Sequence, residues 1–121
     1  MKRRRVEIKK VESLLSRRIR DIYQERLEQK LDNISYRLFD RTLIIMLEGT
    51  ITSPEMLLKQ SDRHRLVEEV RDSIDSIIHP QIQDTIENIL NVKVVDFLSD
   101  TTIENNMTGA IAIFEFESED I

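Results

Sequence analysis

The chain has 121 residues, 40% of them hydrophobic and 34% charged, which is enough for one domain with a core and too apolar for disorder. Cysteine is absent, so disulfides, thiolate metal sites and thiol nucleophiles are excluded, and a reducing compartment is suited. The net charge of −5 conceals a division: residues 1–30 hold eleven Lys and Arg against five Asp and Glu, whereas residues 31–121 hold seven against eighteen. Two such parts attract each other, or the basic one meets an anionic partner.

Lys2, Arg3, Arg4 and Arg5 open the chain, with Lys9 and Lys10 close behind. Val11, Leu14, Leu15, Ile19, Ile22, Tyr23 and Leu27 then recur at helical spacing, which predicts a basic amphipathic helix over residues 6–30. Its charged side has three readings. A solvated helix face is the commonest use of such charge. Contact with an anionic membrane surface or a membrane protein comes second, each Lys or Arg near such a surface adding about 1 kcal/mol. Nucleic acid comes third, and the acidic remainder and the lack of an aromatic stacking set argue against it. The six basic residues named first are the candidate contact. The positive start lacks the apolar stretch of a signal peptide, and no run reaches the ~20 apolar residues of a membrane helix. The expected location is therefore cytoplasmic, and peripheral at the inner face of the membrane if the basic helix docks there.

Asp32 and Asn33 read as a turn. Ile34, Tyr36 and Leu38 alternate with Ser35 and Arg37, predicting a strand over residues 34–39; Asp40-Arg41 is read as a two-residue hairpin turn into a second strand over 42–48, the alternative, since neither residue is glycine, being one bent strand that continues through Thr42. Leu43, Ile44, Ile45, Met46 and Leu47 are consecutively apolar, the mark of a strand covered on both faces. Gly49 marks a turn, Thr52 or Ser53 caps the helix that follows, Pro54 suits its first turn, and Glu55 sets negative charge at the positive end of its dipole.

Leu57, Leu58, Leu66, Val67, Val70, Ile74, Ile77 and Ile78 carry the apolar stripe of a long helical region, and Ile82, Ile86 and Ile89 continue it. Pro80 cannot donate a helical hydrogen bond and biases His79 away from helical angles, which predicts a split into helices over 54–78 and 80–90. A further break is expected near Ser61-Asp62, where apolar residues are missing. Asn91 suits a left-handed cap. Val92, Val94, Val95 and Phe97 predict a third strand over 92–99, and residues 103–109 a connection with a turn at Asn105-Asn106. A fourth strand over 110–117 follows, with Ala112, Phe114 and Phe116 on one face, and then a frayed polar tail over 118–121.

The order α-β-β-α-α-β-β, with strands paired by short turns, predicts an α+β fold over residues 1–121. An antiparallel four-stranded sheet with helices packed on it forms a core over 31–117. Two strands are apolar on both faces. Either helices cover both sides of the sheet, or one side is buried against a second copy in a homodimer.

Little in the sequence points to catalysis. His64 and His79 lack metal-ligand spacing, and no serine sits in a glycine-flanked nucleophile turn. The acidic cluster Glu115, Glu117, Glu119 and Asp120 lacks the loop of a calcium site. Gly49, Thr52 and Ser53 at a helix start, with Asp100 and Thr101 after the third strand, are the candidate anion or turn site; an ordinary turn and cap is the simpler reading of each. No catalytic residue, metal or cofactor is expected.

From Tyr36 onward the chain resembles the MpsC-like family. The resemblance rests on the apolar strand ending at Gly49, ITSPE at Ile51–Glu55, LVEEVR at Leu66–Arg71, HPQI at His79–Ile82, VKVVDFLSD at Val92–Asp100 and IAIFEF at Ile111–Phe116. Each piece is weak alone; together they span about two-thirds of the chain in matching order. Arg63 and Asn91 stand where the family often has glycine, and Ser53 separates the threonine from the proline that usually follows it. The resemblance implies a non-enzymatic accessory protein of a membrane-potential-generating, ion- or inorganic-carbon-transporting system, whose partner would be a membrane transporter subunit. Two alternatives are a sensor of a small anion or nucleotide and a nucleic-acid-binding protein acting through the basic helix.

Overall fold

A computed structural model describes residues 2–115, with side chains from Ile8 onward. The elements are α1 (Lys2–Leu27), β1 (Asn33–Phe39), β2 (Thr42–Glu48), α2 (Ser53–Gln60), α3 (His64–Leu90), β3 (Val94–Thr102) and β4 (Met107–Phe114). This is the expected α-β-β-α-α-β-β order, and the four strands form one antiparallel sheet in the order β1-β2-β4-β3. The two hairpins lie side by side, so the apolar strands β2 and β4 are central.

Among the described residues, helices cover one face of this sheet only. Leu43, Ile45 and Leu47 of β2 and Ala110, Ala112 and Phe114 of β4 point into the core, as do Leu15, Ile19 and Tyr23 of α1 and Ile74, Ile78, Ile82, Ile86 and Leu90 of α3. The first of the two alternatives, helices on both sides, is thereby overturned. The alternation is regular: β2 buries every second residue and leaves the others half-buried on the far side. Both hairpin turns use residues that tolerate left-handed angles, Asp40 (φ 51°) between β1 and β2 and Asn106 (φ 54°) between β3 and β4.

The helices depart from expectation in a telling way. α3 runs unbroken through Pro80, which overturns the split expected there, while the further break expected near Ser61-Asp62 is present at residues 61–63, where Asp62 is left-handed (φ 57°). A mid-helix proline costs about 3 kcal/mol. Continuing the helix buries Ile82, Ile86 and Leu90, each worth about 1.5–3 kcal/mol. Burial outweighs the lost hydrogen bond, and Pro80 itself is exposed. Around Ser61 no apolar side chain offers that compensation. Other boundaries shift by a few residues. α1 starts earlier and ends at Leu27, where Glu28 (φ 51°) turns the chain. β3 begins at Val94 rather than 92 and extends to Thr102, and β4 begins at Met107 rather than 110, so the expected connection over 103–109 shrinks to a four-residue turn. Asn91 takes the left-handed cap as expected (φ 54°, ψ 50°). The end of the expected fourth strand and the tail 118–121 lie outside the described residues.

Candidate functional site

The loop from β2 to α2 is built around Gly49, whose φ of +86° is left-handed. A side chain there would also place its Cβ 2.7 Å from Asp32 Oδ2 and 2.9 Å from the Asp32 backbone nitrogen. The loop is tied on both sides. Gly49 N–H donates to the Asn106 carbonyl (2.9 Å), Ile51 N–H to Asn106 Oδ1 (2.8 Å), and Gln29 Nε2 to the Gly49 carbonyl (2.7 Å). Thr52 then caps α2. Its hydroxyl accepts from Glu55 N–H, while Glu55 Oε1 accepts from Thr52 N–H (3.0 Å) and from Thr52 Oγ1 (3.0 Å).

Glu55 is fully buried and meets Arg71 of α3 in a two-pronged ion pair, Nε to Oε2 at 2.9 Å and Nη2 to Oε1 at 2.7 Å. Arg71 also donates to the Thr50 carbonyl (3.3 Å) and to Asp75 (3.3 Å). The positive equipment at this helix start, which could have received an external anion, is therefore taken up by the chain's own carboxylate. Ser53, by contrast, is exposed. Nearby, burial pushes the Tyr23 hydroxyl up from 10.0 to about 12, partly countered by the charge of Arg71.

The two candidate stretches are joined through threonines. Thr108 Oγ1 donates to Thr50 Oγ1 (2.9 Å) and lies 2.8 Å from Thr101 Oγ1. Asp100 turns outward and accepts from Thr101 N–H (2.9 Å). Asp100 and Thr101 line a groove of about 610 Å³ between α3 and the β3–β4 hairpin, whose walls also hold Glu68, Asp72, Asp75 and Glu104. Of its two permanent cations, Lys59 and Arg71, the second is already matched by Glu55. The groove is thus negative overall, a poor environment for a free anion.

One arrangement invites comparison with a catalytic triad. Ser99 Oγ lies 2.6 Å from His79 Nε2, and Asp75 Oδ1 lies 3.6 Å from that same nitrogen. In a working triad the acid holds the opposite ring nitrogen and the serine faces the base. Here serine and aspartate compete for one nitrogen, Asp75 is engaged by Arg71, and the ring packs edge-on against Phe97 at 5.4 Å. Among the described residues no group of three His, Cys, Asp or Glu is placed to hold a metal ion.

Sequence reasoning identified Glu55 as a dipole partner and missed its ion pair. The signal for it was Arg71, a cation set among Val67, Ile74 and Ile78 on the buried stripe of α3. Of the basic candidates, Lys9 and Lys10 are exposed on α1; the side chains of Lys2, Arg3, Arg4 and Arg5 lie outside the described residues. No helix of the described residues is long and apolar enough to cross a membrane.

The fold and this polar network define an α+β domain with two long helices on one face of a four-stranded sheet and a short third helix packed on α3, its buried charges turned to internal fastening. The chain belongs to the MpsC family, described as the Na+-translocating membrane potential-generating system, whose family model matches residues 7–116. Comparison with curated proteins and with solved structures finds no match.

Proposed function

We propose that this chain is a non-enzymatic accessory or regulatory protein of a membrane ion- or inorganic-carbon-transport system, acting by docking on a membrane subunit from the cytoplasmic side, as a homodimer. The family description supplies the system. The observation that supports docking over chemistry is the sheet's uncovered face, where β2 and β4 hold Ile44, Met46, Ile111 and Ile113 away from the helices. The buried polar groups have partners within the chain, and the basic start of α1 provides a contact for an anionic surface. An anion or nucleotide sensor has less support, because the α2 cap is occupied by Glu55 and the adjoining groove is acidic.

The test is fractionation of cells that make the membrane subunits of the system. The protein is expected in the membrane fraction, and a variant with Lys2, Arg3, Arg4, Arg5, Lys9 and Lys10 changed to alanine in the soluble fraction. Full recovery of the unaltered protein in the soluble fraction, with the membrane subunits present, refutes the reading.

A further inference from the structure

The open side of the sheet has an ordered pattern that the register makes explicit. Across the four strands, from β1 through β2 and β4 to β3, its rows are Phe39, Thr42, Ile113 and Asp96; then Arg37, Ile44, Ile111 and Leu98; then Ser35, Met46, Gly109 and Asp100; and at the far end Asn33, Glu48, Met107 and Thr102, where Asn33 Nδ2 donates to Glu48 Oε2 (2.8 Å). The middle is apolar. Phe39 is 50% exposed, Leu98 52% and Ile111 37%, values high for large side chains on a sheet surface. Among the described residues no element covers them. The two edges differ in sign: β1 carries Arg37, and β3 carries Asp96 and Asp100, each two residues from Leu98 and on either side of it. Three strand spacings, about 14 Å, separate these edges, too far for them to pair within one chain.

We infer that this face is where a second copy of the chain packs, sheet on sheet, about a two-fold axis lying along the strands. The inference rests on the homodimer part of the reading above and goes beyond it by assigning the surface and the axis. Charge chooses the axis. A two-fold across the strands sets β1 over the partner's β1, and so Arg37 near the partner's Arg37 and aspartates near aspartates. A two-fold along the strands sets β1 over the partner's β3 instead. Arg37 is then level with the partner's Leu98, between the partner's Asp96 and the partner's Asp100, and the pairing occurs twice because the interface is isologous. The same axis lays β2 over the partner's β4. It brings the partner's Met46 over Gly109, where the missing side chain contributes to a depression of about 370 Å³ lined by Ile44, Met46, Leu98 and Ile111. Methionine, flexible and unbranched, suits an irregular gap of that kind.

The area is sufficient. Four strands of about seven residues cover roughly 19 by 24 Å, or about 450 Å² per copy in projection. Two copies thus approach the roughly 1,000 Å² of a specific interface before side-chain relief is counted. Aligned sheet packing, with strands within about 30° of one another, keeps the charged edges in register.

Sedimentation equilibrium and light scattering on the whole chain test this. A dimer is expected; a monomer at about 100 μM, well above a micromolar dissociation constant, overturns the inference. Ile44→Glu with Ile111→Glu should give a folded monomer, judged by far-ultraviolet circular dichroism. A dimer that survives both changes overturns the surface. Arg37→Asp should raise the dissociation constant about tenfold or more, and adding Asp96→Lys with Asp100→Lys should restore it. Weakening without rescue overturns the axis. The membrane fractionation above is read on the unaltered chain: a monomer that still reaches the membrane ends this inference and leaves docking standing, whereas a dimer that stays soluble does the reverse.

Discussion

Replacing Arg71 by methionine removes the guanidinium from a buried carboxylate while keeping much of the apolar stem that packs in α3. Glu55 loses its two shortest contacts, at 2.7 and 2.9 Å, and keeps only the Thr52 donors. With Glu55 fully inaccessible to solvent, water cannot take the place of the lost cation. Breaking a buried pair from one side costs about 3–5 kcal/mol, because the remaining charge is left uncompensated. The Thr50 carbonyl loses a donor as well. Against a total stability of about 5–15 kcal/mol this is a large fraction, yet the variant should remain folded in the cold. Urea unfolding followed at 222 nm, at fixed protein concentration, should show the midpoint falling by about 1.5–3 M at an unchanged slope. Adding Glu55→Gln removes the stranded charge but keeps the cap acceptor, so the double variant should recover half or more of the loss. A loss below about 1 kcal/mol for Arg71→Met, or a double variant no more stable than the single one, would falsify the account of this network as an internal fastening.

Gly49→Ala should destabilise by about 2 kcal/mol or more, because it combines a left-handed backbone with a close approach to the Asp32 backbone; a change under about 0.5 kcal/mol in urea unfolding would contradict this. Pro80→Ala should raise stability by about 1–3 kcal/mol, since an exposed mid-helix proline is exchanged for a residue that can donate to Ser76; a lower thermal midpoint would show that α3 needs its proline. Burial pushes the hydroxyls of both Tyr23 and Tyr36 up from 10.0 to about 12, the second partly offset by its 3.0 Å hydrogen bond with Ser16. Unfolded tyrosines ionise near 10, so this contribution is whole below about pH 10 and disappears as pH rises through about 12. Tyr36→Phe should flatten the fall in stability over that window, and an equally steep fall in the variant argues against the assignment.

The sequence alone determined the order of the elements and the αL cap at Asn91, favoured both hairpins, and narrowed the α2 cap to Thr52 or Ser53, of which the structure selects Thr52. Those features are local: alternation along a strand, a capping box, or one residue that tolerates left-handed angles fixes each within a few positions. What it could not show were features that depend on distant partners. Pro80 read as a stop because its cost is local, whereas the burial of Ile82, Ile86 and Leu90 that overrides it exists only once the sheet is present. The phase of β3 was hidden by a bulge between Val94 and Asp96, which leaves Val95 54% exposed and shifts which residues face the core. Glu55 and Arg71, sixteen residues apart, gave no sign of pairing until α2 folded back on α3. The excess of apolar residues in β2 and β4 was plain in the sequence, but only the tertiary structure decided which of them the helices bury. Both long helices pack on the same side, and that choice belongs to the whole chain rather than to any stretch of it.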